Sequence, residues 1–194
     1  GTGAIRINKW DFKANTIEAP TIDLNDVIFA IAEYPELETR AEEEETPEKS
    51  PPDPNPLRAL VGKLVLRNAQ FSLDRFDDTP TRHEFDGNMD FSHLSVRDIA
   101  IEADSVTASS DLAFTGRLRH LAATEKCGFS IQHLESNEVY VNDTITALYG
   151  MRLQTNGSTL GDTLALRYST YYDYERFTNR VYLDGRFAAG SKVR

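Results

Sequence analysis

Hydrophobic residues occupy every second position through much of the chain. The clearest run covers residues 163–174, where Leu164, Leu166 and Tyr168 alternate with polar residues such as Arg167. Such alternation is typical of a β-strand with one buried and one solvated face. It predicts a strand over this run, and the same argument predicts strands over residues 85–91, 112–119 and 181–188.

Shorter apolar pairs, separated by a single residue, fill most of the remaining sequence. Between neighbouring pairs the alternation often shifts by one position, as it does around Asn68 and around Asp98. A β-bulge or a tight turn at such a position explains the shift. The whole pattern predicts roughly a dozen strands, mostly antiparallel, with one apolar and one solvated face.

One short helix is predicted, at residues 56–61. Asn55 is a suitable N-cap, Pro56 suits the first helical position, and Gly62 suits the residue after the last turn. A helix of this length makes fewer than two turns. We expect it to plug an edge or an end of the sheet.

The composition is that of one globular domain, with 194 residues of which 40% are hydrophobic and 27% charged. No apolar run approaches the ~18 residues of a membrane helix. A net charge of −10 argues against a nucleic-acid partner. Cys127 is the single cysteine, so no internal disulfide can form. The chain starts at Gly1 without a Met, and we expect it to be a piece of a longer protein.

Negative charge and proline are concentrated in residues 33–56. This segment holds nine acidic residues, two basic residues and six of the eight prolines. Because it repels itself and has little to bury, we predict a disordered or extended loop, with an acidic segment that binds cations or a basic partner as the alternative. The chain then divides into N-terminal strands at 1–32, this loop at 33–56, and a main β segment at 57–194.

The sequence shows no recognisable catalytic or metal-binding motif. His83, His93, His120 and His133 do not have the spacing typical of metal ligands. No sequence feature activates Cys127 as a nucleophile. We therefore expect no enzyme activity, no catalytic residues, no metal site and no cofactor.

The apolar face of the predicted sheet is the remaining candidate for function. If the sheet closes on itself or on a second sheet, this face is a core. If the sheet curls without closing, the face lines a groove, and an apolar groove without placed polar groups suits acyl chains better than polar metabolites. The aromatic cluster at 168–177 could stack on sugars, although cross-strand packing explains it better.

Several short motifs occur in a fixed order along the chain. They read FSHLSV at 91–96, LAATEKCGFSI at 121–131, MRLQTNGSTL at 151–160, and SKV at 191–193. This succession resembles the TamB branch of the AsmA-like family in its Bacteroidetes-type form. The resemblance covers about residues 57–193, and Cys127 stands where a small residue, often serine, is expected.

The resemblance implies a non-enzymatic protein of the periplasm, anchored in the inner membrane by an N-terminal helix outside this sequence. It implies an all-β fold, in which a curved, mostly antiparallel sheet forms a U-shaped, β-taco-like trough with an apolar interior. The expected function is a section of a conduit that shields phospholipid acyl chains between the inner and outer membranes. The expected partners are phospholipid and an outer-membrane barrel-assembly protein.

The alternation selects the residues expected to line this trough. The candidates are apolar positions on the predicted strands: Leu94, Val96, Ile99, Ile101, Leu112, Phe114, Phe129, Ile131, Met151, Leu153, Leu164, Leu166, Val181 and Leu183. Two alternatives stay open. One is a scaffold for outer-membrane protein assembly, with the same fold and a filled core. The other is a carbohydrate-binding β-sandwich.

Overall fold

A computed structural model describes residues 1–34, 55–76, 89–90, 92–170, 173 and 177–193. These residues form eleven strands and one short helix. In chain order the elements are β1 (Thr2–Arg6), β2 (Lys9–Asp11), β3 (Thr16–Asn25), β4 (Ile28–Glu33), β5 (Arg58–Arg75), β6 (His93–Ser109), β7 (Phe114–Glu125), β8 (Ser130–Val141), β9 (Ile145–Thr155), β10 (Thr159–Arg167), α1 (Phe177–Arg180) and β11 (Tyr182–Phe187).

All eleven described strands belong to a single sheet. Its order is β1-β3-β5-β6-β7-β8-β9-β10-β11, with β2 beside β3 and β4 beside β5. From β5 onward each strand pairs antiparallel with the next, whereas β3 and β4 run parallel to β5. Among the described strands none joins β1 to β11, so the sheet does not close on itself. The predicted all-β, mostly antiparallel class is confirmed.

The predicted shifts of alternation at Asn68 and Asp98 are confirmed as β-bulges. Both residues have positive φ, 50° and 55°, and the pairing register of β5 and β6 shifts beside each of them. Asparagine and aspartate tolerate this left-handed backbone better than most residues. Further bulges were not predicted, among them one at Ser105 in β6, which has a φ of 51°, and one at Gly150 in β9, which has a φ of 58°.

The predicted helix at 56–61 is wrong. Residues from Arg58 onward belong to β5, which pairs with β3 on one side and with β6 on the other. Gly62 does not end a helix there. A Cβ atom at this position would lie 2.7 Å from the backbone oxygen of Pro20, so the glycine allows β3 and β5 to approach closely. No plug therefore forms from this segment.

Other predicted boundaries also change. The strand predicted over 163–174 ends at Arg167, and Leu112 lies in the turn before β7 with a φ of 63°. Most of the predicted strand at 85–91 and most of the acidic segment at 33–56 lie outside the described residues, and the described residues 89–90 belong to no strand. β3, within the predicted N-terminal unit, pairs with β5 of the main segment, so both share one sheet.

Small residues dominate the buried core of the described chain. Its buried apolar residues are alanines and valines together with Met151 and Tyr168, and no described leucine, isoleucine or phenylalanine is fully buried. In compact domains these larger residues are among those most often buried. Most large apolar side chains of the central strands therefore keep part of their surface exposed. Among the described residues, no helix has the length and apolarity to cross a membrane.

Candidate functional site

Cross-strand pairing aligns apolar side chains in rows that cross the sheet. Directly paired residues place their side chains on the same face. One row, which we call the leucine row, spans β1, β3 and the six strands from β5 to β10. Its members are Gly3, Leu24, Leu66, Ile101, Leu121, Leu134, Leu153 and Leu160.

A second row, the Trp10 row, extends from β2 to the far edge at β11. All of its members except Thr146 are nonpolar: Trp10, Ile17, Ala59, Ala108, Phe114, Val141, Thr146, Leu166 and Leu183. The two rows together carry apolar side chains from one edge of the described sheet to the other. We call the surface that they form the apolar face.

Both rows open onto one cavity of about 370 Å³, which shows that they lie on the same side of the sheet. This volume falls within the range of small-molecule pockets, roughly 300–1,000 Å³. Five consecutive strands, β5 to β9, contribute its lining. The lining residues are nonpolar apart from Arg117: Leu64, Ile101, Ala103, Phe114, Gly116, Leu118, Leu121, Leu134, Val139 and Leu148.

The bulges are what keep large apolar residues on this face. Without a bulge, residues three apart point to opposite faces of a strand. The extra residue at Asp98 returns Val96 and Ile99 to one face. The bulge at Ser105 returns Ala103 and Val106 to one face in the same way. The bulge at Gly150 does so for Leu148 and Met151 in β9. The local shifts in sequence alternation therefore build the apolar face.

The apolar face is partly open to solvent. Trp10 is 52% exposed and Leu183 is 64% exposed, at the two ends of the Trp10 row. The cavity residues between them are half-buried, except that Ala103 is buried and Arg117 is exposed. An uncovered apolar surface of this extent is typical of a binding surface.

The opposite face of the sheet is mostly polar. Ion pairs join Lys63 to Glu102 and Arg67 to Asp23. Hydrogen bonding to Glu102 raises the pKa of the Lys63 ammonium. Exposed pairs of this kind add little stability. The two faces of the sheet thus differ sharply in polarity.

The tight turn between β7 and β8 contains residues 126–129 of the quoted LAATEKCGFSI motif. Glu125 is buried, and its carboxylate accepts hydrogen bonds from the backbone N–H of Cys127 at 2.6 Å and of Ser95 at 3.2 Å. Burial raises the pKa of this carboxyl, but the hydrogen bonds, those from Cys127 first, outweigh burial and hold the pKa below its usual range. Gly128 has a φ of 93°, which a glycine adopts without strain.

The turn between β9 and β10 contains another motif and contacts the first turn. Thr155 Oγ1 accepts hydrogen bonds from the backbone N–H groups of Gly157 and Ser158. The Asn156 side chain donates to the Gly128 carbonyl at 3.0 Å. Parts of two of the quoted motifs therefore form neighbouring turns at one end of the sheet.

The thiol of Cys127 is not activated. Its hydrogen bond to Glu125 raises the pKa of the thiol, whereas a nucleophilic cysteine needs a lowered pKa. Among the described residues, no group of three or more His, Cys, Asp or Glu is arranged to hold a metal ion.

The structure distributes the predicted lining residues over the apolar face and beyond it. Ile101 and Phe114 line the cavity. Others lie beside it: Leu153 in the leucine row, Leu166 and Leu183 in the Trp10 row, and Leu164 paired with Leu148.

The remaining predicted residues do not line the cavity. Met151 is only 1% exposed. Leu94 and Val96 pair with β5, as does Ile99, and Ile131 pairs with β7. Three predicted residues lie outside the strands: Leu112, Phe129 and Val181.

Sequence reasoning missed several cavity residues. Leu118 continued the alternation with Phe114, and Leu121 and Leu134 stood in or beside a quoted motif, so a signal existed for all three. No sequence signal existed for Leu148, because its cross-strand partners depend on the register of β9.

Comparisons with protein-family models, with curated proteins and with solved structures give no match for this chain. The resemblance to the TamB branch stays a prediction.

Proposed function

We propose that the chain is a non-enzymatic section of a periplasmic conduit that shields phospholipid acyl chains between the inner and outer membranes. The full-length protein would be anchored in the inner membrane. The observation that supports this proposal is the apolar face: rows of nonpolar side chains cross the described sheet, and the larger ones are not fully buried.

A conduit needs a surface that lowers the cost of exposing acyl chains without holding one lipid tightly. Each methylene group kept from water is worth about 0.8 kcal/mol. A continuous apolar face offers this stabilisation at every position, so a chain can move along it without a large barrier. The nearly nonpolar lining of the cavity fits this requirement.

In this proposal the sheet bends into a trough with the apolar face inside. Bulges increase local twist and bend the strands that carry them. Nine strands on the main path of the sheet, spaced at about 4.8 Å, span about 40 Å across the strands. This distance would be one section of a longer path.

The alternatives have less support. The assembly scaffold needs a filled face, and the segment expected to plug the sheet, at 56–61, is mostly strand. The carbohydrate-binding sandwich needs two packed sheets, and all described strands belong to one.

Lipid uptake by the purified chain tests the proposal. The chain would be incubated with vesicles that carry a fluorescent diacyl phospholipid, reisolated, and assayed for bound lipid. Phe114→Asp places a charge on the apolar face, and Thr115→Asp places the same charge on the neighbouring position of β7, on the other face. Burying an unpaired carboxylate against acyl chains is costly.

We expect at least a tenfold loss of lipid binding for Phe114→Asp, which is about 1.4 kcal/mol, and little change for Thr115→Asp. Both variants should keep the wild-type circular dichroism spectrum. Equal lipid binding by the two folded variants, or no uptake by the wild-type chain, would overturn the proposal.

A further inference from the structure

Two histidines meet on the polar face of the sheet. His120 of β7 and His133 of β8 have their Nδ1 atoms 2.9 Å apart, and their ring centroids are 5.1 Å apart. They lie thirteen positions apart in sequence, and the register of the two strands brings them together. His120 also pairs with Glu102 of β6, which places it opposite the apolar face.

The hydrogen bonds around the pair assign roles to the ring nitrogens. Glu135 Oε2 lies 3.3 Å from His133 Nε2 and accepts a hydrogen bond from its N–H. The lone pair of His133 is then on Nδ1, where it accepts the proton of His120 Nδ1. Arg152 Nε, 3.1 Å from the other oxygen of Glu135, holds this carboxylate in place.

This arrangement matches one that metal sites use. A histidine that binds a metal through one ring nitrogen commonly donates its other N–H to a carboxylate, which orients the ring and makes it more basic. The shared proton lies between two nitrogen atoms, where an ion could take its place. The side chains of His133 and Glu135 are 38% and 33% exposed, so an ion and water can reach them.

We propose that His120 and His133 bind one divalent ion, Zn²⁺ or Cu²⁺, through their two Nδ1 atoms. When the ion binds, the ring proton of His120 moves from Nδ1 to Nε2 through solvent, so that both Nδ1 lone pairs bind the ion and both rings stay neutral. Water completes the coordination of the ion. Imidazole ligands favour these ions. Two nitrogen atoms on one tetrahedral Zn²⁺, each at 2.0–2.1 Å, lie about 3.3 Å apart. The Nδ1 atoms therefore need to separate by a few tenths of an ångström, and the rings need to tilt so that both lone pairs point at the ion. Glu135 is a positioning residue for His133.

Metal titration of the full chain tests this site. Zn²⁺ binding would be measured by calorimetry, and the Cu²⁺ complex by electron paramagnetic resonance. We expect one ion per chain and a spectrum with coupling to two nitrogen nuclei. His120→Gln and His133→Gln should each weaken binding at least tenfold and remove the two-nitrogen signal. Glu135→Gln should weaken it about tenfold.

His93→Gln is the matched control, because His93 lies at the start of β6 beside Asp74 and away from the pair. It should bind both metals as the wild-type chain does. Circular dichroism would verify that each variant folds. If a variant does not fold, ring proton resonances of the wild-type chain give the answer, because Zn²⁺ should shift those of His120 and His133 and leave those of His93 unchanged.

A Cu²⁺ spectrum without two coupled nitrogen nuclei would overturn the proposal, as would unchanged affinity in folded His120→Gln. Equal shifts of all the histidine resonances would also overturn it. The site lies on the face opposite the leucine row, so its failure would leave the lipid proposal untouched.

Discussion

Replacing Leu134 by asparagine distinguishes an open apolar face from a closed core. Leu134 lies in the leucine row between Leu121 and Leu153, lines the cavity and is half-buried. Fully burying a leucine side chain is worth about 1.5–3 kcal/mol. A half-buried leucine supplies roughly half of this, and the asparagine amide can stay hydrated on its open side. We expect Leu134→Asn to lower the free energy of unfolding by about 1 kcal/mol.

Met151 is the matched comparison, because it lies in the neighbouring strand β9 and is only 1% exposed. Met151→Asn removes a buried apolar side chain and buries an amide without a prepared partner. These two costs add up to about 2.5–6 kcal/mol. Urea unfolding followed by circular dichroism gives both free energies. Equal destabilisation by the two substitutions would refute the reasoning, because Leu134 would then lie in a closed core.

Three further predictions concern the turns and bulges that shape the sheet. Glu125→Gln should cost about 1.5–3 kcal/mol at neutral pH, since it weakens charge-assisted hydrogen bonds. Because the pKa of Glu125 is lowered in the fold, this contribution to stability is complete above the ordinary pKa of 4.5 and is lost as the pH falls through the folded pKa. A difference in unfolding free energy between variant and wild type that stays constant down to pH 2 would contradict this prediction. Asn68→Val should cost about 1–2 kcal/mol more than Asn68→Gly in urea unfolding, because only valine is strained at positive φ; equal stability of the two variants would count against the bulge. Tyr168→Phe removes the hydroxyl that donates to the Asn142 carbonyl at 2.8 Å and should lower the unfolding free energy by about 1–3 kcal/mol; an unchanged thermal midpoint would show that this bond adds nothing.

Part of the fold could be predicted because alternation and bulge chemistry are local. The shifts at Asn68 and Asp98 were recognisable, since Asn and Asp are common at left-handed backbone positions. Ser105 was not recognisable, because serine gives no such signal and its neighbours Ala103 and Val106 are three apart. The shift at Gly150 was hidden between Leu148 and Met151, for which no alternation was assigned.

The wrong helix shows where local signals fail. Asn55, Pro56 and Gly62 stand at the right positions for a short helix. Fewer than two turns of helix have little intrinsic stability. Pairing on both sides of β5 satisfies the backbone groups of this segment instead. The glycine was a real signal, but its role is the close approach of Pro20 rather than the end of a helix.

The candidate sites depend on register, which alternation alone does not determine. The cavity combines residues of five strands, and a slip of one position would move each side chain to the other face. The His120–His133 pair depends on the register of β7 and β8, which shifts at several points along the two strands. Sequence spacing therefore gave no indication of this pair.

The most direct test of the account is photo-crosslinking in cells that make the full-length protein. A benzophenone amino acid would replace Leu148, which lines the cavity, or its neighbour Tyr149 on the opposite face of β9. After irradiation, mass spectrometry would identify covalently attached phospholipid. The account predicts phospholipid adducts at position 148 and few at position 149. Adducts at neither position in the folded protein, or equal adducts at both, would contradict it.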